Sequence, residues 1–333
     1  MKYTTITTLA AMLLGTAGAF AQTPATAYTK PSGFITHTLK AGQFNLIGLT
    51  LHEPVVVSGA LTGVSTTTLT DTSVNFESVL TAGKTYILEV LSGALTGVIQ
   101  EVTTRSGNTF MTPEDLTEGA AIIAIGDKYQ LRESATLESI FGTAESSLTA
   151  GFSAASADIV WLPTTVGEYR RCYLKRPTDV WWDADADVAA PNVPVCYTDA
   201  LFIQATGTED SSLVLTGTVK TVSTIAVMEN GFSPISAVFP IGTTLLSSGL
   251  EASLTAGFSV ASADVLWVPA DGGGYTQYYV KRPANAWTKI NADLSEVAVD
   301  VSNDFSMPSG FFVQRLGARA ELKIDPPSSY SNL

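Results

Sequence analysis

The sequence predicts an all-β protein of two homologous β-sandwich or barrel-like modules, the first carrying an inserted small β-barrel-like domain. Three observations lead there. The stretch Ser147–Trp181 (SLTAGFSAASADIVWLPTTVGEYRRCYLKRPTDVW) returns 106 residues later as Ser253–Trp287 (SLTAGFSVASADVLWVPADGGGYTQYYVKRPANAW), with about twenty of the 35 positions identical. Shared composition alone does not give such identity, so the chain holds an internal repeat. Short runs rich in Val, Thr, Ile and aromatics recur between Gly and Pro, and no long helical periodicity interrupts them. Finally, the offset between the copies changes along the chain. Phe44 aligns with Phe232 and Ile47 with Ile235, 188 apart, so 188 minus 106 leaves 82 extra residues in the first copy. The β-rich stretch 55–133 is about that long, and surface loops whose ends lie close together accept such insertions.

Taken in order, residues 1–21 read as a secretory signal peptide. Lys2 supplies the positive start, LAAMLL the apolar centre and Ala19-Phe20-Ala21 the small-residue cleavage site. The apolar run is shorter than the roughly 20 residues a spanning helix needs. Residues 22–54 and 134–220 form the first module, with FNLIGLTL as a buried-strand candidate. Residues 55–133 form the insert, where Ser106-Gly107-Asn108 marks a hairpin turn. Residues 221–333 form the second module. Each copy carries a strand DIVWLP or DVLWVP, an aromatic hairpin, Lys-Arg-Pro, and a closing strand ALFIQATG or GFFVQRLG at offset 110.

Charge narrows the function. Asp and Glu number 31 against 18 Lys and Arg, a net charge of -13, with no basic cluster. Binding to nucleic acid phosphates or to anionic lipid is therefore disfavoured. No cofactor is implied. A soluble chain outside the cytoplasm is expected: secreted, periplasmic or at the cell surface. Its partners would be other extracellular or envelope proteins, or a polysaccharide.

Candidate sites are few. Cys172 and Cys196 are the only cysteines, both in the first copy, and Tyr278 stands opposite Cys172 in the second. Two cysteines missing together from the sister copy of an exported chain suggest a disulfide. The two histidines, His37 and His52, lie beside no HExxH or GxSxG pattern, which leaves no metal or catalytic constellation to name. Asp183, Asp185 and Asp187 open like a calcium loop, but Val188 stands where Gly is needed and Pro194 where a bidentate Glu is needed. A turn with solvated carboxylates is the simpler reading. Asp158 and Asp264 precede the repeated Trp and suit a strand-entry hydrogen bond. The repeated aromatics, Trp161, Tyr169, Trp181, Trp267, Tyr275 and Trp287, could stack on sugar rings or fill a β core. The apolar neighbours of Trp161 and Trp267 on both sides favour inward packing for these two.

FNLIGLTLHEP, GDKYQLRESATLESIFG, ASADxxWxP, GxYxxYYxKRP and GFFVQR together resemble a family of secreted, β-rich repeat-module proteins common in Verrucomicrobia-like bacteria. The first copy departs from GFFVQR with ALFIQA. The resemblance covers nearly all of the chain after the signal peptide and implies this architecture and export, without an activity. The expected function is an exported, non-catalytic structural or surface-associated β protein. The alternative is a carbohydrate-binding protein that uses the repeated Trp and Tyr hairpins.

Overall fold

The computed structural model describes residues 32–164, 168–240, 242–270 and 273–332. The segment 1–21, expected to be a signal peptide, lies outside the described residues. What is described is all-β, with antiparallel sheets and two short helices, Phe76–Val79 and Leu137–Phe141. No helix among the described residues is long and apolar enough to cross a membrane.

The duplication reappears as two six-stranded sheets of identical order. The first runs Val188–Ala189, Val180–Asp183, Tyr169–Lys175, Ile159–Pro163, Ala200–Gln204, Phe44–Gly48. The second runs Glu296–Ala298, Ala286–Ile290, Tyr275–Lys281, Val265–Pro269, Gly310–Arg315, Gly231–Ser236. Each copy adds a separate two-stranded pair, Ser32–Leu39 with Ser211–Thr218 and Thr224–Met228 with Ala320–Ile324.

Local chemistry explains why the most strictly repeated residues recur. Asp158 is buried, and its carboxylate accepts the Thr149 and Thr206 backbone N–H groups at 2.8 and 2.7 Å. Asp264 does the same for Thr255 and Leu316, and also takes Arg315 Nη1 at 2.7 Å. In the first copy the Thr206 hydroxyl, at 2.9 Å, supplies the extra donor. Gly151 and Gly257 sit where a Cβ would fall 2.6 Å from the Ser156 or Ser262 backbone, so the repeated TAGFS needs its glycine. Both Lys-Arg-Pro turns carry a cis proline, Arg176–Pro177 and Arg282–Pro283.

The two copies share one core. A single apolar cluster takes Ile47, Val160, Leu174, Trp181 and Ile203 from the first and Ile235, Leu266, Val280, Trp287 and Val313 from the second. The backbones meet at a narrow seam. Ser236 N donates to Thr198 O at 2.8 Å, Gly48 N to the Ser309 hydroxyl at 3.3 Å, and the Ser236 hydroxyl to Leu49 O at 3.0 Å. A Cβ on Gly48 would run into the Ser309 carbonyl, and one on Gly310 would lie 3.0 Å from Ala200 Cβ and Gly48 N.

The insert builds two four-stranded sheets around its own cluster, in which Phe76, Phe110 and Tyr129 pack together under Leu69 and Leu88. Its hairpin turns at Gly107-Asn108, between Thr104–Ser106 and Thr109–Met111, with Gly107 in the left-handed region at φ +53°. A buried polar knot ties the insert to the rest. The Glu89 carboxylate accepts Lys220 Nζ at 2.8 Å, the Tyr197 hydroxyl at 2.6 Å and Arg132 Nε at 3.2 Å, as well as Gln130. Arg132 also donates to the Glu53 carbonyl. Burial pushes the Glu89 carboxyl up, but Lys220 and Arg132 outweigh it and hold the group well below the usual carboxylate range.

The disulfide expectation is corrected. Cys172 and Cys196 are both free thiols. Cys172 faces inward from its strand into the shared apolar core. Cys196 Sγ sits 3.1 Å from the Thr198 hydroxyl. Burial pushes the two thiols up to about 11 and about 12, so both stay protonated and unreactive near neutral pH.

Candidate functional site: an aromatic face across both copies

Alternation along the strands sends every second side chain to the face opposite the core. In Ile159–Pro163, Val160 and Leu162 enter the core while Trp161 faces outward, half-buried. Cross-strand register places Trp161 opposite Phe202 on one side and Arg171 on the other. Phe202 in turn stands opposite Leu46, two residues from Phe44. The second sheet repeats this, with Trp267 opposite Phe312 and Gln277. The expectation that Trp161 and Trp267 pack inward is therefore corrected. An apolar run on both faces is equally what a strand shows when its outer face carries an aromatic layer.

Eight rings form that layer. Phe44 meets Trp161 edge-on at 5.7 Å, Trp161 meets Tyr169 at 6.4 Å, and Tyr169 meets Phe202 at 5.6 Å. Phe202 touches Phe312 at 5.4 Å, which joins the copies. Beyond it, Tyr275 meets Phe312 at 5.6 Å, Phe232 meets Phe312 at 6.3 Å, and Phe232 meets Trp267 at 5.5 Å. The contacts are mostly edge-to-face, the arrangement the ring quadrupoles favour. The outer members are open to solvent, Phe44 at 55% and Phe232 at 52% exposure. Tyr275 is also exposed, so this face carries apolar rings toward solvent in both copies.

The two ends of the layer differ in polarity. Beside Trp161 and Tyr169 lies an open hollow also lined by Thr164, Glu168, Arg171 and Asp185. The Arg171 guanidinium rests 5.4 Å from the Trp161 ring centre and is paired with Asp185. The second copy has Gln277 in place of Arg171, and its Trp267 Nε1 donates to Gln314 at 3.1 Å.

Of the sequence-derived candidates, Trp161, Tyr169, Trp267 and Tyr275 come together on this face. Trp181 and Trp287 do not, and their assignment as stacking rings is corrected. They point from the opposite side of their strands into the shared core, Trp181 only 1% exposed. Trp181 Nε1 is satisfied by the Gly142 carbonyl at 2.9 Å. Phe44, Phe202, Phe232 and Phe312 were missed as site residues. Their signal was present: each keeps its aromatic character in the sister copy, at offsets 188 and 110.

The Asp183–Asp187 segment is a turn held by its own protein partners. Asp183 accepts the Asp185 and Ala186 N–H groups, each at 2.9 Å, and Arg170 Nε at 2.7 Å. Asp187 accepts Trp182 Nε1 at 2.9 Å. Among the described residues no three His, Cys, Asp or Glu side chains stand close enough to hold a metal ion. His52 Nε2 lies 2.8 Å from the Val238 carbonyl, and burial with Arg132 nearby pulls its pKa down to about 3. Comparison of the chain with protein-family models, with curated proteins and with solved structures gives no match.

Proposed function

We propose that this is an exported, non-catalytic structural β protein that associates in an extracellular or envelope assembly through its aromatic face. The observation that carries the reading is the continuous layer of eight rings, which spans both copies and is open to solvent at Phe44 and Phe232. Four of the rings are phenylalanines, which offer apolar area and no hydrogen bond, as suits burial against another protein surface. The net charge of -13 keeps the remaining surface soluble. Export rests on the N-terminal segment, and the repeat-module family it resembles is secreted.

Carbohydrate binding is the second reading, favoured by the hollow where Trp161 and Tyr169 adjoin Arg171, Asp185 and Glu168. One comparison separates the two. The mature chain and a double variant, Phe44→Ser with Phe232→Ser, are compared by sedimentation velocity, by co-fractionation with the producing cell's envelope and on a glycan array. The structural reading expects wild-type association that the variant loses without a change in melting temperature. Wild-type protein that stays monomeric, leaves the envelope fraction and retains glycans would transfer the assignment to the second reading.

A further inference from the structure

A second concavity, remote from the ring layer in its lining, lies where the insert meets both copies. It has a volume of about 590 Å³, within the range of small-molecule sites, and such sites favour domain junctions. The apolar part of its lining comes from both sides: Ile87, Val98 and Ile99 from the insert, Ile225 and Val227 from the second copy. A backbone bond closes the junction, from Ile225 N to Gly97 O at 2.8 Å. The first copy provides Cys196, Thr198 and Asp199.

The charged groups of the lining are mostly acidic. Glu101, Glu114, Glu118 and Glu321 are exposed around the opening, and Asp199 lies half-buried deeper in the lining. The cavity's one cation, Arg319, already pairs with Glu114 at 3.6 Å and Glu229 at 3.4 Å. We propose that this cavity is a binding site for a small organic cation with an apolar body, an aryl- or alkyl-ammonium, whose charged end meets the Asp199 carboxylate. The apolar lining matches the body and the acidic opening attracts the charge, while an anion of the same shape finds a single guanidinium, already paired, among carboxylates. The cavity has no counterpart built from the second copy, since the insert supplies one of its walls.

The environment of Asp199 sets a pH dependence. Burial pushes its carboxyl up to about 6, opposed by a hydrogen bond from Thr198. Near pH 7.5 the group is ionised and attracts an ammonium. At pH 5 about nine-tenths of it is neutral, so binding weakens about tenfold. A carboxylate at its ordinary pKa stays mostly ionised at pH 5 and would give a much smaller change.

The test is titration calorimetry of the full mature chain with phenethylamine and with 3-phenylpropionate, which share a size and differ in charge. Saturable amine binding at pH 7.5 is expected, at least tenfold tighter than the acid and about tenfold weaker at pH 5. Asp199→Asn should flatten the pH dependence, and Ile99→Trp should fill the cavity and abolish binding, with melting temperature checking that each variant folds. No amine binding to the wild type, equal affinity for the two probes, or amine affinity unchanged by both substitutions in folded protein would overturn the proposal. The wild-type charge comparison decides it even if neither variant folds.

Discussion

Phe202 and Phe312 are equivalent residues of the two copies, and their rings pack against each other at 5.4 Å across the seam between the sheets. The contact is possible because the backbones beneath it carry almost no side chain. Gly48, Ala200, Ser236 and Gly310 bring the facing strands into hydrogen-bonding distance. The duplication therefore folded onto itself through its smallest residues, and one core and one outer ring layer run through both copies.

That seam makes the first prediction. Gly48→Ala places a methyl against the Ser309 carbonyl, where no flexible side chain can give way. A loss of about 3 kcal/mol is expected from overpacking. Gly33, with nothing within 4 Å of a Cβ, serves as the control, and Gly33→Ala should leave the urea midpoint nearly unchanged. Equal midpoints for the two variants would mean that the seam is looser than described.

A core ring and an outer-layer ring should separate in stability. Trp181→Ala opens a cavity in the shared core and strips the Gly142 carbonyl of its donor, for about 3 to 5 kcal/mol. Phe44→Ser, at the exposed end of the ring layer, should cost less than about 1 kcal/mol. Because the core is common to both copies, the Trp181 variant should melt in one shifted transition. Two separate transitions, with only one shifted, would show independent copies instead.

Excision of the insert, joining Pro54 to Ser134, would remove Glu89 and with it the carboxylate that buried Lys220 and Tyr197 contact. Breaking a buried ion pair by deleting one partner costs about 3 to 5 kcal/mol. The insert's own apolar cluster argues that it folds as a unit, yet the shortened chain should be markedly less stable than the intact one. Adding Lys220→Met should recover part of the loss. If the shortened chain with Lys220 intact melts as high as the full chain, the polar knot contributes nothing to stability.

Acid should act through His52. Its folded pKa lies near 3, below the ordinary 6.5, because burial disfavours the imidazolium and Arg132 repels it. Above pH 6.5 both folded and unfolded states hold it neutral and it adds no pH dependence. As pH falls from 6.5 toward 3 the unfolded state takes up the proton first, so stability is lost across that window. At pH 4.5 the loss from this residue amounts to about 2 to 3 kcal/mol. His52→Gln keeps a donor for the Val238 carbonyl and removes the titration. Urea midpoints at pH 7 and 4.5 should converge in the variant relative to wild type; an identical acid loss in both would assign the effect to other groups.

By itself the sequence determined the all-β class, the duplicated block with its matching strands, the hairpin at Gly107-Asn108 and the carboxylate roles of Asp158 and Asp264. Those features rest largely on local chemistry: alternation, turn residues and, for the two carboxylates, the N–H of Thr149 or Thr255 close by in the chain, with Thr206 or Leu316 added by the fold. Tertiary structure alone decided which face of each strand is covered. DIVWLP is apolar on both faces, and period-two alternation says which residues share a face without saying whether core or solvent meets it. Only the packing of the two sheets sends Val160 inward and Trp161 outward, and moves Trp181 from ring platform to core. The free thiols follow from the same cause, since Cys172 faces the core while Cys196 lines the junction with the insert. The junction cavity, too, is assembled from segments more than a hundred residues apart, Ile99 and Ile225 among them. Residues that distant meet through the registers of several sheets at once, which no single stretch of sequence encodes.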